Sequence, residues 1–176
     1  MEKPIICPLN FNKEIPEIQS WVKNFANHPN FAGIKHFILE DNTYYGLDEV
    51  IATNYEFFNI GTDEKNYCLA IKIDNQVIGF VLACAFNLTT PSPELIIQYI
   101  VIRPDYQHQG IGKQVVTELI NNAFKYFNSN PTKVYANIQQ DNLASTKLFS
   151  NLGFTLKPLK NDYLQAQKTT LALERD

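Results

Sequence analysis

The chain has 176 residues, of which 45% are apolar and 19% charged, with a net charge of -3. That length suits one domain with a buried core, and the hydrophobicity excludes intrinsic disorder. The mild acidity offers no basic field to gather phosphates, so nucleic acid is not an expected partner. No apolar run reaches the roughly 18–20 residues that span a bilayer.

The first residues, MEKPIICPLN, lack a basic start followed by a long apolar stretch, so no secretory signal is read there. Cys7, Cys68 and Cys84 are widely spaced and odd in number, which does not make a disulfide framework. Cys68 and Cys84 lie in apolar stretches and read as buried small hydrophobes. His28, His36 and His108 show neither an i, i+4 pairing nor a cysteine at metal spacing. The expectation is a reduced, cytoplasmic protein without a metal.

In chain order, Ile5 to Leu9 reads as a short strand. A helix follows with Pro16 in its first turn and Ile18, Trp21, Val22 and Phe25 on one face, ending near Asn27. Residues 28–65 are irregular, with Gly33, Gly46 and Gly61 and many aromatics, and leave room for one or two short helices, for example around Asp48 to Phe58. Such segments on a rigid scaffold often supply a substrate site.

From Asn66 the pattern is regular. Tyr67 to Ile73 and Val77 to Phe86 read as a hairpin around Asp74-Asn75. Leu95 to Ile102, nearly all apolar, reads as a central strand covered on both faces and ended by Pro104. A helix opens near Gly110, with Ile111, Val115, Val116, Leu119, Ile120, Ala123, Phe124 and Phe127 on one stripe, and closes between Asn128 and Pro131. Lys133 to Ile138 is a strand. Asp141 or Asn142 caps a helix that stops at Gly153. Phe154 to Leu156 and Lys168 to Leu173 complete the sheet. The fold class is therefore α/β in the broad sense (α+β): a mixed, mostly antiparallel central sheet flanked by helices, in a single domain spanning 1–176. The strand, helix, strand run from Leu95 to Ile138 suits a right-handed crossover.

The chemistry concentrates in Gln107-His108-Gln109-Gly110-Ile111-Gly112-Lys113, between a buried strand and an amphipathic helix. Glycine lets a backbone approach a ligand closely. A helix start offers unpaired N–H groups and the positive end of the macrodipole. Together these suit a pyrophosphate, and the same residues also suit a plain strand-to-helix turn. A Walker A loop is excluded because Gly112-Lys113 runs into Gln114 and the position five before Gly112 is Gln107. A dinucleotide fingerprint is excluded because Val115 stands where its third glycine belongs.

The run Ile100 to Gly112 resembles the acetyl-CoA motif of the GNAT superfamily of N-acetyltransferases. Gln107, Gly110 and Gly112 match its Gln/Arg-x-x-Gly-x-Gly/Ala core. Asn142, Leu148-Phe149 and Leu152-Gly153-Phe154 resemble a second segment of that superfamily at the expected distance. The two segments and their connecting strand cover 95–154, the cofactor-binding core, with 28–65 as the acceptor region. The resemblance implies the GNAT acyltransferase fold, acetyl-CoA as co-substrate, and direct transfer of an acetyl group to an amine. It implies that the backbone of Ile100, Val101 and Ile102 meets the pantetheine arm and that the Ile102 N–H polarises the thioester carbonyl. It further implies that His108, Gln109, Gly110, Ile111, Gly112 and Lys113 hold the pyrophosphate through their backbone and that Asn142 hydrogen-bonds the cofactor. Lys147 is either a phosphate contact or simply an exposed helix lysine. Phe149 also falls on the cofactor-binding set.

Two positions depart from the pattern. Many relatives have a Tyr at Phe149 that protonates the departing thiolate, and Phe149 has no proton to give. Some carry a general-base Glu at Asn137. Gln98 and Tyr99 lie where relatives often have polar catalytic groups. Tyr99 is the first candidate for an acid or water-orienting role, with plain core packing as its alternative. Tyr106 reads as a packed loop residue, and Glu40, Asp41 and Glu94 could attract a cationic amine. The competing functional reading is a non-catalytic acyl-CoA-binding or sensing protein that keeps the fold. The acceptor's identity is not legible. Dimers are common in such proteins, and an apolar edge around the C-terminal strands could support one.

Overall fold

The computed structural model describes residues 3–25, 63–160 and 162–170. The expected acceptor region up to residue 62, with its helix at 48–58 and the carboxylates Glu40 and Asp41, lies outside the described residues. The described strands are β1 (Ile5–Pro8), β2 (Glu64–Ile73), β3 (Gln76–Phe86), β4 (Glu94–Ile102), β5 (Lys133–Gln139), β6 (Thr155–Pro158) and β7 (Tyr163–Thr169). The helices are α1 (Phe11–Phe25), α2 (Ile111–Asn121), α3 (Ala123–Phe127) and α4 (Leu143–Asn151), with a 3-10 turn at Pro104–Tyr106.

The strands form one sheet in the order β1-β2-β3-β4-β5-β7-β6. Every neighbouring pair is antiparallel except β4 with β5, the two strands joined by the α2 crossover. The expected mixed, mostly antiparallel sheet is therefore present, with β4 at its centre. Asp74 and Asn75 both take positive φ, 51° and 62°, as a tight hairpin between twisted strands requires.

Strand alternation sends side chains into two cores. Ile71, Val81, Ala83, Leu95, Ile97, Val134, Ala136, Ile138 and Ala166 meet α2, α3 and Phe149 of α4 on one face. On the other face Leu82, Phe80 and Val101 meet Ile15, Ile18 and Trp21 of α1. β4 contributes to both, which explains its nearly continuous apolar run. Cys84 is buried. Cys7 and Cys68 are partly buried against the α1 core, and all three are free thiols.

Three expectations shift. First, α1 begins at Phe11, so Pro16 sits inside the helix rather than in its first turn. The start is fixed by Asn10, whose Oδ1 accepts from the Lys13 N–H (3.2 Å) while Glu14 Oε2 accepts from the Asn10 N–H (2.9 Å). That reciprocal cap satisfies donors at a helix start. Glu14 is also buried and paired with Lys72 of β2.

Second, the long helix after Gly110 is two helices, interrupted at Asn122 (φ -122°, ψ 34°). Asn is a weak helix former because its side chain competes for the backbone, and two occur here in a row, Asn121 and Asn122. The turn leaves Phe124 half exposed while Ala123 and Phe127 stay buried. Asn128, left-handed at φ 49°, closes α3.

Third, the last described strand runs from Tyr163 to Thr169 rather than from Lys168 to Leu173. Its face shared with Asn137 and Gln139 carries Tyr163, Gln165 and Gln167, so the strand shows no apolar run in sequence. Residues 171–173 lie outside the described residues.

Candidate active site

The site begins with a fault in the sheet. β5 follows β4 only from Glu94↔Lys133 to Ile97↔Ala136. Beyond that point β4 continues along β3 to Ile102, and β5 continues along β7 to Gln139. The two parallel strands therefore part company and leave a split open at their C-terminal ends. Gln98 marks the fork. Leu82 pairs with Tyr99 and Ala83 with Ile97, so Gln98 is an extra residue on β4, a bulge that bends the strand and ends its pairing.

The β4 edge along the split carries backbone groups rather than side chains. Arg103 donates its N–H to the Ile78 carbonyl of β3 (2.7 Å). Antiparallel alternation then turns the N–H and C=O of Ile102 and Ile100 away from β3, toward the split, and those of Val101 toward β3. Of the three expected pantetheine contacts, Ile100 and Ile102 thus present their amides to the opening. The Ile102 carbonyl already accepts from Gln107 Nε2 (2.8 Å), while its N–H points into the split.

That Gln107 bond ties the following loop to the strand. Gln109 Nε2 donates to the Asp105 carbonyl (3.0 Å), and the Arg103 guanidinium grips Asp105 through two bonds of 2.7 and 2.9 Å. Arg103 also covers the Tyr106 ring at 4.6 Å, so Tyr106 is the packed loop residue expected. The loop turns through positive φ at His108 (59°) and Gly110 (77°) before α2 starts. Gly110 is the N-cap of α2, makes no side-chain cap, and is followed by a first turn with no acidic residue. A Cβ placed on Gly110 would meet nothing within 4 Å. The result is an uncapped helix start that opens onto space, the arrangement that favours an anion. His108, Gln109 and Lys113 are exposed around it, Gly112 is partly buried and Ile111 packs into the core.

α4 flanks this loop. A Cβ on Gly112 would lie 3.5 Å from Leu148 Cδ2. At the start of α4, Asn142 Oδ1 accepts from the Ser145 N–H (3.0 Å), so that oxygen serves as the helix cap and the amide NH2 is left as the donor. Lys147 is exposed on α4. Phe149 is 2% exposed and stacks edge-on against Phe154 at 5.0 Å, inside the core.

The opposite face of the split is polar. Tyr99 follows the bulge on β4, partly buried beside the α1 core. Asn137 and Gln139 of β5 and Tyr163 and Gln165 of β7 share one face, because their strand neighbours Ala136, Ile138 and Ala166 point into the other core. Gln139 Nε2 donates to the Tyr163 hydroxyl (3.3 Å). Burial, with Tyr163 nearby, pushes the Tyr99 phenol up to about 12. It stays protonated across neutral pH and can act as a donor. Glu94 sits at the far end of β4, 3.4 Å from Lys133, away from the split. Sequence reading missed Tyr163 and Gln139. Neither is part of a motif, and β7 carried no periodic signal to place them.

The profile of the acetyltransferase (GNAT) family matches residues 33–154. The chain belongs to that family. Among solved structures, an acetyltransferase from Thermus thermophilus is similar at 13% identity and a TM-score of 0.67, with 96% of this chain and 98% of that one covered. The PaiA N-acetyltransferase of Thermoplasma acidophilum, solved in complex with coenzyme A, gives 16% identity, a TM-score of 0.63, and 96% and 100% coverage. A spermidine N-acetyltransferase from Vibrio cholerae, solved with CoA and spermine, gives 16%, 0.62, and 95% of both chains. At such identities these likenesses establish the fold. No curated protein sequence matches the chain significantly.

Family membership makes this an acetyltransferase fold of the kind that uses acetyl-CoA. Among the described residues there is no cluster of three or more groups able to hold a metal, and no helix long and apolar enough to cross a membrane.

Proposed function

We propose that this protein is an acetyl-CoA-dependent N-acetyltransferase that transfers an acetyl group directly to an amine. The observation that carries the proposal is the joining of two features by one loop: the split between β4 and β5, and the uncapped start of α2. A long ligand with an anionic middle and a thioester end suits both. The pantetheine arm would lie along Ile100 and Ile102, completing the strand edge that β5 abandons. The pyrophosphate would sit against the backbone of His108 to Lys113, with Asn142 donating its amide and Lys147 supplying positive charge from α4.

The thioester carbonyl would take a hydrogen bond from the Ile102 N–H, which faces the split without needing to reorganise. The amine would approach from the polar face that carries Tyr99, Asn137, Gln139 and Tyr163. Its nitrogen attacks the carbonyl carbon, the C–S bond breaks, and coenzyme A leaves. We also propose a cytoplasmic protein that works on a small-molecule or peptide amine, alone or as a homodimer.

The buried ring of Phe149 favours a second reading, a CoA-binding sensor, because that position offers no acid. One pair of assays separates the two. Acetyl-CoA and CoA, but not ATP, are expected to raise the melting temperature. At about 100 times the dissociation constant the gain is roughly 2.7 kcal/mol, or on the order of 5–10 °C for a domain of this size. A panel of a polyamine, an aminoglycoside, a lysine peptide and a free peptide N-terminus is then expected to yield acceptor-stimulated CoA release. Binding without release on any amine supports the sensor. No shift at millimolar acetyl-CoA overturns both.

A further inference from the structure

Two tyrosines stand on one face of the sheet, on either side of the fork. Tyr99 stands on β4 immediately after the bulge at Gln98 and two residues beyond the last β4–β5 pair. Tyr163 opens β7, in register with Gln139 at the end of β5. Because β5 and β7 stay paired to that end, Tyr163 lies one strand behind the far bank of the same opening, on the same face as Tyr99. Gln139 fixes its hydroxyl from the neighbouring strand (3.3 Å). Both tyrosines are partly buried, as a donor shielded from bulk water should be. Burial first, and Tyr163 second, keep the Tyr99 phenol protonated. On α4, where a tyrosine would otherwise be sought, Phe149 is packed against Phe154 and contributes nothing to the opening.

We propose that Tyr99 is the catalytic acid of this enzyme and that Tyr163, held by Gln139, is the positioning residue that orients the Tyr99 hydroxyl toward the leaving sulfur. The inference rests on the acetyltransferase reading above. In the step itself the amine lone pair forms the N–C bond, and the C–S electron pair goes to sulfur. The Tyr99 O–H proton then passes to that sulfur, giving the free thiol. The nitrogen sheds one proton through solvent water, which restores the Tyr99 hydroxyl. One N–H proton has in effect moved to sulfur, and no other reactant is consumed.

The test uses Tyr99→Phe, Tyr163→Phe and the double variant, which keep the rings and remove only the hydroxyls. Each is measured for its acetyl-CoA thermal shift and for kcat and KM with the best amine of the panel. Tyr99→Phe is expected to lower kcat by about 10²-fold, the lower range for a general acid. Tyr163→Phe is expected to lower kcat about tenfold with KM nearly unchanged. The double variant should be no worse than Tyr99→Phe alone, because residues acting as a unit are not additive. The acetyl-CoA shift should persist in all three. If the wild type transfers acetyl groups while Tyr99→Phe keeps its kcat within twofold, this inference falls and the acetyltransferase reading stands. Losses that multiply in the double variant remove Tyr163 from the unit. A wild type that binds acetyl-CoA yet acetylates no amine overturns both.

Discussion

Replacing Gly110 by alanine separates a turn from a ligand site, because its two effects have different origins. In the free protein the new methyl meets nothing within 4 Å, so no clash arises. The cost comes from φ 77°, a left-handed conformation that charges a residue with a Cβ about 1–2 kcal/mol. For a domain of this size that lowers the melting temperature by roughly 2–8 °C. The empty space beyond Gly110 is where a pyrophosphate would press against the backbone, and there the methyl would intrude. A 100-fold loss of affinity at a ligand concentration that was 100 times the dissociation constant leaves only RT ln 2, about 0.4 kcal/mol. The acetyl-CoA shift should therefore shrink from 5–10 °C to about 1 °C. Gly112→Ala is the control. Its Cβ makes ordinary contact with Leu148, and alanine inside a helix is worth about 0.5–1 kcal/mol over glycine. That variant should melt slightly higher and keep its shift. Differential scanning fluorimetry reads both. A Gly110→Ala protein that melts lower yet keeps the full acetyl-CoA shift would show that the loop is a plain turn.

Gly79 lies opposite Ile102, and a Cβ there would collide with the Val101 carbonyl and crowd Ile71 and Ile102. Gly79→Ala should cost about 1–3 kcal/mol by overpacking and displace the end of β4, so both the melting temperature and acetyl-CoA affinity fall; calorimetry with and without ligand checks it. Phe149→Tyr would put a hydroxyl into the core beside Phe154, losing about 1–3 kcal/mol with no gain in kcat. A large gain in turnover would refute that placement. Burial and the Glu14 carboxylate raise the Cys68 thiol to about 12, and burial raises the Tyr99 phenol to about 12, above their ordinary 9 and 10. Raised folded-state values mean stabilisation that is complete below pH 9 and lost as pH climbs from 9 to 12. Thermal melts across that window should decline, and Cys68→Ala should flatten the decline. At pH 8, iodoacetamide should leave Cys68 unmodified in the folded protein.

What could be read from the sequence was whatever is encoded locally. The Asp74-Asn75 hairpin, the buried β4, the loop from Gln107 to Lys113 and the Asn142 cap each depend on neighbours within a few residues, and each stands where its pattern placed it. The start of α1 was missed because its signal is a reciprocal bond between Asn10 and Glu14 rather than an apolar stripe. The break at Asn122 was hidden by a stripe that continues through it to Phe127. β7 was displaced because one of its faces carries Tyr163, Gln165 and Gln167, and that polar face erases the usual signal of a strand. The bulge at Gln98 and the fork beyond it had no local mark at all. They exist only in the pairing of strands far apart in sequence.

The fork also divides the molecule mechanically. β1 to β4 form one ribbon and β5 to β7 another, and the ladder between them is four residue pairs long. The α2 and α3 crossover is the covalent strap over that short seam. Apart from the four-pair ladders of the edge strands β1 and β6, that seam is the shortest ladder in the sheet, so opening is expected here before the long β2–β3–β4 block. A ligand lying in the gap would bond to one ribbon through Ile100 and Ile102 while resting against the other, and so would act as a splint. On the proposed binding mode the empty protein would be two plates free to breathe against each other, and the loaded one a single plate.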